Sequence, residues 1–124
     1  MPTYAIAVDV REAATNAVVG VALLIPEHRY ATYLAGDHQP AIQASPTAAE
    51  WRAIDAWHMQ AEAGLPSEPH RMDPAVTSAV TGRSAQGECV GRRFAAIPIG
   101  SAGDDLAAEL NGILPGLLKA RRKQ

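Results

Sequence analysis

The stretch Ser45-Pro46-Thr47-Ala48-Ala49-Glu50-Trp51-Arg52-Ala53-Ile54 opens the one long helical pattern in the first half of the chain. Ser45 reads as an N-cap and Pro46 as the first helical residue, where a missing N–H costs nothing. Trp51, Ile54, His58, Ala61 and Leu65 then recur at spacings of three and four, which gives a face that packs on a sheet. Glu50 lies beside that stripe. Two readings fit it: a first-turn acid favoured by the helix dipole, or one of several acids that the fold brings together.

Working back from the helix, Tyr4 to Val10 alternates Tyr4, Ile6, Val8 and Val10 with Ala5, Ala7 and Asp9, the period of a strand. Asp9 therefore shares a face with two alanines, and small neighbours leave room beside its carboxylate. It either ends the strand and caps the turn from Arg11 to Asn16, or serves a site. Val18 to Ile25 is apolar on both faces and should be covered on both or lie centrally. Pro26-Glu27-His28 turns the chain into a third, more polar strand, Arg29 to Ala35, so the second and third strands form an antiparallel hairpin. His38 to Ala44 reads as a loop.

Forward of the helix, Gly64 to His70 is a Pro-rich loop with little strand character. Asp73 and Pro74 look like the N-cap and first residue of a short helix, Ala75 to Val80. Cys89 to Ile99 is the last strand, and Ser101 caps a C-terminal helix whose apolar face is Leu106, Ala107, Leu110, Ile113, Leu114, Leu117 and Leu118. Asp104, three residues after Ser101, fits a capping box as well as a site. Asn111-Gly112 and Pro115-Gly116 are expected to kink or restart that helix.

Composition narrows the possibilities. A chain of 124 residues at 48% hydrophobic content suits one domain with a real core. The lone Cys89 rules out an internal disulfide and reads as a small buried hydrophobe. No apolar run reaches the roughly 18 residues of a membrane span, and the N-terminus lacks a signal-peptide layout. A cytoplasmic protein with no membrane partner is expected. A net charge of −2 argues against binding nucleic acid by bulk charge alone. The basic residues are nevertheless grouped: Lys119, Arg121, Arg122 and Lys123 form a tail that reads as solubilising, and Arg83, Arg92 and Arg93 a smaller set. His28, His38, His58 and His70 show no metal-ligand spacing, and neither a nucleophile elbow nor a Gly-rich phosphate loop is present.

The order of elements and acids resembles type 1 ribonuclease H. The matching residues are Asp9 in Ala-Val-Asp-Val, Glu50 in Thr47 to Ile54, Asp73 before a short helix, and Gly100-Ser101-Ala102-Gly103-Asp104-Asp105-Leu106-Ala107. The family's first Asp is followed by Gly-Ser, where this chain has Val10-Arg11, and Ser101 stands where the family has an assisting His. The resemblance implies an α/β ribonuclease H-like mixed sheet, an antiparallel three-strand meander continued by parallel strands, with helices packed on it. It also implies a metal-dependent endonuclease that cleaves the RNA strand of RNA–DNA hybrids. Asp9, Glu50, Asp73 and Asp104 would be both catalytic residues and ligands of two Mg²⁺ or Mn²⁺ ions, with Asp105 able to replace Asp104, and Arg11, Thr47 and Ser101 would contact substrate. The departures admit two rivals: an inactive ribonuclease H-like binding or assembly module, and an unrelated small α+β structural or oligomerisation protein whose four acids are caps and turn residues.

Overall fold

In the computed structural model, residues 3–36, 40–60, 65–82, 87–100 and 105–122 are described. Six strands, β1 (Thr3–Glu12), β2 (Val18–Ile25), β3 (Tyr30–Ala35), β4 (Ile42–Ala44), β5 (His70–Met72) and β6 (Cys89–Ile99), form one sheet in the order β4-β3-β2-β1-β6-β5. The helices are α1 (Ala48–Met59), α2 (Pro74–Thr81) and α3 (Leu106–Arg122). The α/β class matches the expectation, and so does the three-strand meander.

The expected parallel strands are corrected: every pairing in the sheet is antiparallel. β6 lies antiparallel against the whole of β1, from Thr3 opposite Ile99 to Glu12 opposite Cys89. The physical reason is that a period of two fixes which face a side chain takes and says nothing about the direction of the neighbouring strand. Two segments read as loop or without strand character, around Ile42 and His70, are instead three-residue edge strands. Edges this short present few unpaired backbone groups to another chain.

Alternation along the central strands divides the core in two. Val8 and Val10 of β1 and Ala22 and Leu24 of β2 meet Trp51, Ile54 and Trp57 of α1 and Val76, Ala79 and Val80 of α2. On the other face Ala5, Ala7, Val21, Leu23 and Ile25 meet Leu106, Leu110, Leu114 and Leu118 of α3. The sheet is therefore sandwiched between helical layers, as the two-sided apolar pattern of β2 requires. The four leucines of α3 recur every fourth residue, and burying each contributes roughly 1.5–3 kcal/mol. Pro115 sits inside α3 without interrupting it, so the expected restart does not occur.

Local signals explain where the helices begin. The cap of α1 is Thr47 rather than Ser45. With Thr47 as N-cap the third helical residue is Glu50, and a capping box closes: the Thr47 hydroxyl accepts from the Glu50 N–H at 3.1 Å, and the Glu50 carboxylate accepts from the Thr47 N–H at 2.9 Å. Ser45 would place Ala48 there, which cannot reciprocate. Asp73 and Pro74 start α2 as expected, although the Asp73 side chain makes no capping bond. Gly82 ends α2 with φ of 70°, a left-handed conformation that suits glycine.

Candidate functional site

The site grows from Asp9. Its parity on β1 puts it on the α3 face, directly opposite Arg92 of β6 and Val21 of β2, and it is only 1% exposed. A carboxylate so deep needs counter-charges. Arg121, in the last turn of α3, donates to Oδ2 from Nη2 at 2.7 Å and from Nε at 3.2 Å. Arg11, two residues along the same face of β1, approaches the same oxygen with Nε at 3.4 Å. The other oxygen, Oδ1, is buried and has no hydrogen-bond partner among the described residues.

Each arginine is held by a further contact. The Arg121 guanidinium lies 4.6 Å from the centre of the Phe94 ring, a cation–π contact that fixes its plane. Arg11 also donates to the Asn16 carbonyl at 3.0 Å, and Asn16 takes φ of 60° in the β1–β2 turn. Arg92 donates through Nε to the Ser67 carbonyl at 2.9 Å. Asp9, Arg11, Asn16, Arg92 and Arg121, together with Pro69 and Val90, line a pocket of about 290 Å³. Among the described residues three guanidinium groups line it against one carboxylate, so that part of its wall is positive.

The other expected site residues lie elsewhere. Glu50 is engaged in the capping box of α1, and Asp73 precedes α2; both helices pack on the face of the sheet opposite Asp9. Thr47 is the partner in that box, and among the described residues Arg11 is the expected substrate contact found beside Asp9. Ser101 and Asp104 lie outside the described residues, while Asp105 is exposed at the start of α3. Among the described residues no three His, Cys, Asp or Glu side chains group as a metal ion would need. The surroundings of Asp9 do not fit a pair of divalent cations. Arginines hold its Oδ2, the rim is positive, and the sheet stands between it and the next two acids.

Other titratable groups have structural settings. His58 is half-buried with Nδ1 3.3 Å from Arg93, and burial, then the Arg93 charge, lowers its pKa while Asp55 pulls the other way. The Cys89 thiol is buried as expected, and burial followed by the Glu12 charge raises its pKa. A second hollow of about 520 Å³ lies beside the start of α1 among Arg29, Ser45, Trp51 and Arg52. Its Arg29 is already bonded to Asp55 at 2.8 Å and stacked 5.3 Å from the Trp51 ring.

Sequence reasoning singled out Asp9 and Arg11 but took Arg121 for part of a solubilising tail. The signal was present: Arg121 follows Leu118 by three residues, so it continues the stripe Leu106, Leu110, Leu114, Leu118 towards the sheet. Compared with protein-family models, curated proteins and solved structures, the chain matches none.

Proposed function

We propose that this chain is a binding module that holds an anionic, phosphate-type group in the arginine-lined pocket over Asp9. The observation that carries this is the convergence of Arg11, Arg92 and Arg121 on a cavity where, among the described residues, Asp9 is the one carboxylate. Guanidinium groups suit phosphate because they are planar, permanently charged and weakly hydrated. Asp9 has a structural role in this reading: it holds Arg121 in place and offsets part of the positive charge when no ligand is bound. A volume of about 290 Å³ suits one small ligand or one protruding group.

A backbone phosphate of an RNA–DNA hybrid, the partner that the sequence resemblance implies, is one such group. The test is titration of the purified chain with inorganic phosphate and with a labelled hybrid, followed by calorimetry and fluorescence anisotropy. Binding should weaken with salt and fall about tenfold or more in Arg92→Gln, since a hydrogen bond to a charged group contributes roughly 1.5–3 kcal/mol. Equal affinity in wild type and variant would remove the pocket from the explanation. The same labelled hybrid incubated with Mg²⁺ tests the hydrolase reading: nicking by wild type and not by Asp9→Asn would install two-ion cleavage in place of binding.

A further inference from the structure

The outer edge of β6 is only partly covered. Among the described residues β5 pairs with Cys89 to Gly91, and the Ser67 N–H donates to the Arg93 carbonyl at 3.0 Å. From Phe94 to Ile99 the strand has β1 on one side, and among the described residues no strand pairs with it on the other. Of the usual guards on a free edge this half has Pro98, which withdraws one N–H, and no charged side chain. The surface beside it is apolar too. Tyr4, opposite Pro98 on β1, is 48% exposed, and Ala96 and Pro98 are exposed on the same face of the sheet. On the α3 face Phe94, Ala95 and Ile97 are only partly buried. An apolar patch that runs along an unpaired edge marks a contact surface.

We propose that this edge pairs with the same edge of a second copy of the chain, antiparallel about a two-fold axis near Ala96 and Ile97. Two observations choose a second copy over a foreign strand. An edge without charges sets no like charges opposite one another when it meets itself. Reversing its direction also brings the end that carries Arg92 and Arg93 towards the end where Glu109 accepts from the Gly100 N–H at 3.0 Å, so a basic end approaches an acidic one twice. The axis stands normal to the sheet, which keeps both copies of α3 on one face and continues the two cores across the join.

Sedimentation equilibrium of the purified chain at a series of concentrations should show monomer and dimer in exchange. Ala96→Lys changes an exposed side chain and sets two lysines near one another across the axis, so the dimer Kd should rise about tenfold or more. Ala96→Glu should do the same, and an equimolar mixture of the two variants should dimerise again, because Lys then faces Glu. Circular dichroism checks that both variants fold. A wild type that stays monomeric at every concentration would overturn the pairing, and if it binds a labelled hexapeptide of alternating valine and threonine the edge serves a foreign strand instead. A dimer equally tight in both variants lies on another surface, and a mixture that stays monomeric puts residue 96 away from the axis; either result overturns the self-paired edge.

Discussion

Replacing Arg121 with Met should cost about 3 kcal/mol of folding stability. Removing one partner of a buried ion pair usually costs roughly 3–5 kcal/mol, because the remaining charge is stranded. Here the low end applies. Arg11 stays 3.4 Å from Oδ2, and Met keeps most of the stem that packs near Phe94. Asp9 at 1% exposure cannot reach water in compensation. For a domain of 124 residues such a loss corresponds to a fall in melting temperature of roughly 10–15 °C. The second half of the cycle is Asp9→Val with Arg121→Met. Both charges are gone and a β-branched residue suits the strand, so the double variant should stand within about 1 kcal/mol of wild type. Arg11 tolerates this because its side chain is 15% exposed and keeps the Asn16 carbonyl. Urea denaturation followed by circular dichroism and by the fluorescence of Trp51 and Trp57 measures each corner. Both tryptophans sit on the face opposite Asp9, so their signal reports global unfolding rather than a local change. A cost below about 1 kcal/mol for Arg121→Met, or a double variant as unstable as the two single costs added, would refute the buried pair.

Other outcomes follow from the same geometry. Thr47→Ala should cost about 1 kcal/mol, whereas Glu50→Gln, which can still close the capping box, should stay within about 0.5 kcal/mol and leave phosphate binding unchanged; a Glu50→Gln that abolished binding would put Glu50 in the site. Gly91→Ala should destabilise by roughly 1–3 kcal/mol, because a Cβ there would stand 2.6 Å from the Trp57 ring and 2.7 Å from the Met72 sulfur; an unchanged urea midpoint would contradict that packing. Burial and Arg93 hold the His58 pKa below its ordinary value of about 6.5, so the folded state favours the neutral ring. Its contribution is complete above that pH and is lost as the pH falls towards the lowered folded value; His58→Gln should flatten the decline of the urea midpoint on acidification, and an identical slope would rule His58 out as its source. Mg²⁺ or Mn²⁺ should leave the melting temperature unchanged, and a metal-dependent rise lost in both Asp9→Asn and Glu50→Gln would show those acids meeting.

Much of the fold was legible because side-chain period is a local property. The alternation of Tyr4 to Val10 gave β1 and put Asp9 with Ala5 and Ala7, and the two-sided apolar run of Val18 to Ile25 called for a strand covered on both faces or lying centrally, which β2 is. Strand direction was not legible. β6 would show the same residues beside β1 in either orientation, and the parallel reading came from resemblance, not from its own pattern. The short edges were hidden for a different reason. Three residues such as His70-Arg71-Met72 are too few to display a period, and Pro66 and Pro69 nearby read as loop.

The site divides along the same line. Asp9, Glu50 and Asp73 stand in the order expected of an acid cluster, but order along a chain does not decide on which side of a sheet each acid falls. Parity sends Asp9 towards α3, while the stripe of α1 sends that helix and its capping Glu50 to the other face. Two of the bland alternatives, a helix cap for Glu50 and a helix start for Asp73, account fully for where those residues lie. Asp9 is the exception, since a strand end has no need of a buried carboxylate and an alanine would fill that face at far lower desolvation cost. What the carboxylate supplies is a fixed anchor for Arg121 at the end of α3, and with it a cavity whose positive rim is positioned before any ligand arrives. In the anion-binding reading that is the use of the carboxylate: it holds the Arg121 cation in place in advance, and the stability of the fold depends on the same pair.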